Sequence, residues 1–261
     1  MTSRRANRWI SIGMTVVALA IGIPWLWHAY EHRAPWWDPI LHQLVHEGLK
    51  ETLRMAVLSV LGAVAIGIVL GTLLTIDFKP LRALIRGYIE FWRGLPIVVT
   101  MFIFAYAYPL VDQTFPQIPF DIKPLQPFEA ATVTLVLWGS AQVAEATRGA
   151  VQSIPREQHE AAAALGFGWG GRHAFVILPQ ALRRLIPPLI GLVANIIQNT
   201  TIALIIGVQE LLQVGNRSTE RLLFTTGDSH LFAILTVVAA MFFAISFPLT
   251  RLAALLEKRL T

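Results

Sequence analysis

The chain has 261 residues, of which 55% are hydrophobic and only 14% charged, against about a quarter charged in an average soluble domain. A mean hydropathy of +0.58 and a pI near 10.0 make a polytopic membrane protein the first expectation. The net charge of +5 is scattered between apolar runs, which argues against a nucleic-acid partner, and the absence of cysteine excludes disulfides, zinc–thiolate sites and thiol nucleophiles.

Crossing the hydrocarbon takes roughly 20 apolar residues as a helix. Six stretches are candidates: 9–30, 55–76, 97–111, 128–147, 186–208 and 231–248. The expected fold class is therefore all-α, because long apolar runs without period-2 alternation favour helices over strands. The first stretch is longer than a signal-peptide core and no A-x-A-like site follows it, so an uncleaved helix over residues 1–31 is expected. Trp25, Trp27, Tyr30, Trp36 and Trp37 cluster after it as an interfacial belt would.

His28/His32 and His42/His46 stand four apart, a spacing that aligns two imidazoles on a helix. Pro35 and Pro39 interrupt the set and no carboxylate completes it, so no metal site is expected. Glu47 with Lys50 and Glu51 with Arg54 are spaced for ion pairs on a helix leading into the second span. The third span is short, lying between Pro96 and Pro109, with Tyr106, Tyr108 and Asp112 marking its outer end. Residues 112–127 are proline-rich and read as an ordered loop.

Orientation follows from where Lys and Arg fall. With the N-terminus inside, inner connections hold fifteen: Arg4, Arg5, Arg8, Lys79, Arg82, Arg86, Arg93, Arg148, Arg156, Arg172, Arg183, Arg184, Arg251, Lys258 and Arg259. Outer ones hold six: Arg33, Lys50, Arg54, Lys123, Arg217 and Arg221. Both termini are therefore expected in the cytoplasm, with residues 149–185 as the longest cytoplasmic connection. Glu145, three before Arg148 at the inner end of the fourth span, is spaced for an interfacial ion pair, with a direct transport role as the alternative.

Within that connection, Gly166-Phe-Gly-Trp-Gly-Gly171 matches G-x-G-x-x-G, but an alanine-rich run precedes it and no acid appears between Glu160 and Glu210. A dinucleotide site needs a strand before it and an acid about 20 residues on, and no G-x-x-x-x-G-K-[ST] loop occurs anywhere. The chain is not expected to hydrolyse ATP. Ser153 and Pro155 suit a helix start, Gly166 a left-handed stop, and Trp169 to Ile177 a second short helix before Pro179. Two short helices on a glycine turn, with Ala161–Ala164 offering a flat face, read as a docking element for another protein.

The fifth span holds Asn195, Gln198 and Asn199 on one helical face at about midplane depth, with Thr200 and Thr201 able to bond their own backbone. Such a face can line a polar solute's path or join neighbouring helices as hydrogen-bonding glue; the residues alone leave both open.

Glu160-Ala161-Ala162, then Gly166, then Val176-Ile177-Leu178-Pro179 reproduce the EAA motif. With "YIEFWRGLP" (88–96), "AEATRGAVQSIPREQHEAAAALG" (144–166) and "IGVQEL" (206–211), the chain resembles the permeases of ATP-binding-cassette importers, in their polar amino-acid branch, over roughly residues 45–256. The resemblance implies a type I importer permease fold: a five-helix core, here with an added first helix, in a bacterial inner membrane surrounded by lipid. It implies coupling helices at about 153–179 that seat Glu160, Ala161, Ala162, Gly166, Ile177, Leu178 and Pro179 against a separate ATPase dimer, which binds ATP and Mg. It also implies a second permease subunit and an extracytoplasmic solute-binding protein delivering substrate near Gln209 and Glu210, with Asn195, Gln198, Asn199, Thr200 and Glu145 along the pathway. Three departures stand out: the usual RGTP reads Arg93-Gly-Leu-Pro96, the usual Ile-Phe before Arg-Gly reads Ala146-Thr147, and a common Lys-Asp pair reads Gln198-Asn199. Import of another small polar solute is the nearest alternative. An ion-coupled secondary transporter would need more intramembrane acid than Glu145, and a membrane enzyme a nucleophile–base or metal set.

Overall fold

The computed structural model describes residues 36–114 and 125–260, and every regular element among them is helical. The chain divides into two compact units, Met1–His42 and Gln43–Thr261. Of the first, the described part is the start of a helix at Trp37, where the Trp36 and Trp37 rings meet edge to face at 5.5 Å. The expected helix over 9–30, His28/His32 and most of the loop at 112–127 lie outside the described residues.

Helix α1 (Trp37–Leu73) passes through a π-helical turn at Leu44–Leu49. Then come α2 (Lys79–Gly94), α3 (Ile97–Thr114), α4 (Pro127–Gln152), α5 (Arg156–Ala164), α6 (Trp169–Ile206), α7 (Leu211–Thr226) and α8 (Leu231–Leu260). Helices α1, α6 and α8 are each long and apolar enough to span a membrane, and α2 with the start of α3 forms a fourth such segment bent by 99°. Leu95 and Pro96 make that corner: Leu95 is extended (φ −83°, ψ 134°), as a residue before proline prefers. The Trp92 ring stacks on Phe104 across it at 6.2 Å.

Helix α4 is the centre of the second unit, packed on α1, α6, α3 and α2. Its buried side is made of small and polar residues, including Ala130, Ala131, Thr134, Gly139, Ser140 and Ala144. Protein rather than lipid surrounds it, so it needs less hydrophobicity than its neighbours. Small residues let helix backbones approach closely. A Cβ on Gly67 of α1 would stand 2.5 Å from the Val143 Cβ and 2.7 Å from the Ser140 carbonyl oxygen. Hydroxyls bridge helices too: Tyr88 of α2 and Ser140 of α4 share a 2.7 Å hydrogen bond, and Leu211 N–H donates to Thr52 Oγ at 3.0 Å.

Several expected boundaries move. The second short helix does not stop before Pro179; a π-helical turn at His173–Ile177 carries it straight into the fifth span, and Pro179 sits in the first turn of the regular helix, where its missing N–H matters least. The last helix runs past Pro248 to Leu260. The fifth span tightens to 3-10 geometry at Thr200–Ile206 and stops at Gly207, φ +86°. Residues 79–94, read as a plain basic connection, form an amphipathic helix that buries Ile85 and Ile89 against Ala141 and Ala144.

Candidate functional site

The segment expected to serve as a docking element is built from α5 and the first turns of α6. Helix α5 ends as Gly166 predicts: the Gly166 N–H donates to Ala163 O at 2.9 Å and the Phe167 N–H to Ala162 O at 3.1 Å, with Gly166 at φ +84°. These two bonds are the Schellman pair, which satisfies the last carbonyls and reverses the chain. Ser153 does not cap α5. Its hydroxyl donates to Ala150 O at 2.7 Å, finishing α4, and Arg184 donates to the Ser153 carbonyl at 2.6 Å. Pro155 occupies the N-cap position of α5 instead.

The residues of the EAA motif divide into two sets. Glu160, Ala161, Gly166 and Pro179 are exposed, and the Glu160 carboxylate has no partner in the chain among the described residues. Ala162 and Ile177 are buried and Leu178 is half-buried. Ile177 belongs to a core with Val151, Ile154, Ala181 and Leu185 that anchors the element to the end of α4. Beside the exposed set, Leu165 is 78% and Phe175 73% solvent-accessible. An anchored platform thus presents the Glu160 carboxylate, a glycine turn and large apolar side chains outward.

His173 was not legible as a structural residue. Its ring is buried, stacks on Trp169 at 4.3 Å, and bonds the Trp169 carbonyl at 2.9 Å through Nδ1 and Thr75 Oγ at 3.0 Å through Nε2. It ties the platform to the chain just after α1. No local signal could have shown this, because Thr75 lies 98 residues away. His159 of α5 packs edge to face on it at 6.1 Å, and burial, with His173 and Arg172 nearby, lowers the His159 pKa.

On α6, Asn195 and Gln198 are exposed and Asn199 is half-buried, with no hydrogen bond from these amides to another helix among the described residues. Thr200 departs from that face: it is buried, its hydroxyl donating to Ile197 O at 2.7 Å. Glu145 pairs with Arg148, which donates from Nε at 3.1 Å and from a terminal nitrogen as well. Glu51 and Arg54 pair at 3.5 Å, with Arg54 also 4.7 Å over the Phe128 ring. Among the described residues, no three His, Cys, Asp or Glu gather as a metal site would require.

Glu210 is fully buried, so it is not a surface for a delivery protein; its carboxylate caps α7, accepting from Leu212 N–H at 2.9 Å and Gln213 N–H at 2.7 Å. Burial pushes its carboxyl up to about 7 from the ordinary 4.5, against the two N–H donors that lower it. The folded value lies above the unfolded one, so this group's contribution to stability is full below about 4.5 and lost as pH rises through about 7. Melting of the purified protein between pH 4.5 and 8 should therefore show a fall that Glu210→Gln flattens; a parallel fall in both proteins would remove Glu210 as its source.

Residues 63–261 match the family described as "Binding-protein-dependent transport system inner membrane component". The chain belongs to that family. This permease is 34% identical over 217 residues to the glutamine transport system permease protein GlnP of Escherichia coli K12, covering 83% of the chain and 93% of the relative. It is 30% identical over 214 residues to the probable glutamine ABC transporter permease protein GlnM of Bacillus subtilis 168, covering 82% and 92%. A solved amino acid ABC transporter with histidines superposes with a TM-score of 0.68 at 25% identity, covering 85% of this permease and 95% of that chain. The permease is thus a multi-pass inner-membrane subunit of an ABC importer, with the all-helical fold of such subunits.

Proposed function

We propose that this permease forms the translocation pathway for a polar amino acid delivered by an extracytoplasmic binding protein. Energy comes from a separate pair of ATPase subunits that bind ATP and Mg and seat the cytoplasmic element at 156–179. The observation that carries the reading is the anchored platform: Glu160, Gly166, Leu165 and Phe175 open to solvent, above a core centred on Ile177. An apolar surface of this kind beside an unpaired carboxylate is what a partner interface needs at its centre and rim. Both termini then lie in the cytoplasm, in line with the excess of Lys and Arg on that side.

The amides of α6 supply the pathway. Asn195 and Gln198 face away from the chain's own core, toward the place of a second permease subunit, homologous or identical. Without the Lys-Asp pair common in this branch, the face is uncharged and suits the polar, net-neutral amino acid that the names of the relatives suggest. Such contacts hold a solute weakly, so that release is as easy as entry.

The test is Asn195→Leu combined with Asn199→Leu in the assembled transporter, reading uptake into proteoliposomes. Uptake should fall by roughly tenfold, the scale of one membrane hydrogen bond of about 1–2 kcal/mol, with assembly unchanged. Unaltered uptake would return these amides to hydrogen-bonding glue between neighbouring helices. Ligand screening of the binding protein that co-purifies then names the amino acid.

A further inference from the structure

Behind the docking helix lies a cavity of about 260 Å³ lined by Arg82, Arg86, Arg148, His159, Thr75 and Gln152, with no carboxylate in its lining. Three guanidiniums from two helices line it, Arg82 and Arg86 from α2 and Arg148 from α4, with the imidazole of His159 from α5. Arg148 is already oriented, because Glu145 holds it and one of its terminal nitrogens donates to Gln152 Oε1 at 2.6 Å. Arg82 is pinned through its other end, donating at 2.9 Å to both Ile76 O and Asp77 Oδ1, while its Nε is buried without a partner. Arg86 makes no hydrogen bond within the chain among the described residues. Asp77 pairs with Arg82 and Glu145 with Arg148 from outside the lining, which leaves the Arg86 guanidinium and the buried, unsatisfied Nε of Arg82 to call for an anion with several acceptor oxygens. Planar guanidiniums match phosphate oxygens best.

We propose that this cavity binds a phosphate group, and that the phosphate is that of an anionic lipid headgroup or a free phosphate ion. Bound there, it joins α2, the end of α4 and the docking helix α5 through one set of charge-assisted hydrogen bonds. Basic pockets between membrane helices at the cytoplasmic surface have the chemistry to hold such headgroups. The proposal rests on the membrane reading of the fold and on none of the docking or pathway assignments. Failed anion binding with uptake intact, or the reverse, therefore tells the two apart.

Native mass spectrometry of the purified whole transporter, titrated with phosphatidylglycerol or phosphatidylcholine, tests it alongside calorimetric titration with inorganic phosphate. The wild type should retain phosphatidylglycerol over phosphatidylcholine, or bind inorganic phosphate. R82Q/R86Q should weaken that binding by roughly tenfold or more, the scale of two basic groups at an anionic headgroup. Loss of lipid retention alone assigns the cavity to a headgroup; loss of inorganic phosphate binding assigns it to a free anion. R86Q by itself, which removes no hydrogen bond among the described residues, carries the test if the double variant fails to assemble. Wild type and R86Q binding both ligands equally, or a wild type that binds neither, overturns the proposal.

Discussion

Glu160→Lys and Gly166→Trp are each expected to leave the permease inserted and folded while abolishing ATP-driven uptake. Glu160 is exposed and has no partner among the described residues, so reversing its charge breaks no contact seen there. Gly166 has open space around the position of a Cβ, and the intrinsic penalty is the left-handed backbone at φ +84°, about 1–2 kcal/mol for a residue other than glycine. That strain falls on one helix end, whereas the indole would stand on the surface proposed to seat the ATPase subunit. Co-purification of the ATPase with tagged permease, and uptake into proteoliposomes, should both be lost. Retention of both in the two variants would dismiss this surface as the docking site.

Gly67→Leu should act in the opposite way, by preventing the fold itself. Its Cβ alone would come within 2.5 Å of the Val143 Cβ and 2.7 Å of the Ser140 backbone oxygen. A backbone carbonyl cannot rotate away as a flexible side chain can, so α1 and α4 must separate along their length. Overpacking of a close-packed core costs about 1–3 kcal/mol and occasionally more; with backbone in the contact the upper end is expected. The variant should be absent from the monodisperse peak after detergent extraction, or melt well below the wild type. A Gly67→Leu protein that purifies and melts like wild type would show that this interface yields.

The apolar spans were legible because their signal is local. Runs near 55–76, 97–111, 128–147, 186–208 and 231–248 all appear as helices, since a chain in lipid must satisfy its own backbone and hydrophobicity alone reports where. Their ends were less legible. Pro179 and Pro248 look like stops, yet the helices continue through both, because a π-helical turn absorbs the first and a membrane helix tolerates the second. The amphipathic α2 was missed although Leu81, Ile85, Tyr88, Ile89 and Trp92 carry a helical period.

The turn at Gly166 was readable to the residue, since only glycine suits the left-handed position that the Schellman bonds require. What the neighbouring side chains do was not. Ala162, Ile177 and Thr200 sit among residues that share motifs or helix faces with exposed ones, and periodicity alone does not say which face meets the core. Glu210 looked available at an outer loop; in three dimensions it is a buried cap.

From composition, spacing and motif, the chain by itself determined a helical membrane protein, the place of its apolar helices among the described residues, the turn at Gly166 and its family. These depend on interactions within a few residues, or on a partition between water and lipid that each segment undergoes separately. Only the tertiary structure decided that α4 is the central helix, that His173 reaches Thr75, and that Arg82, Arg86 and Arg148 open on one cavity. Those arrangements join residues tens to about a hundred positions apart, and their energy comes from close backbone approach and from pairing polar groups away from water, neither of which leaves a mark in local sequence.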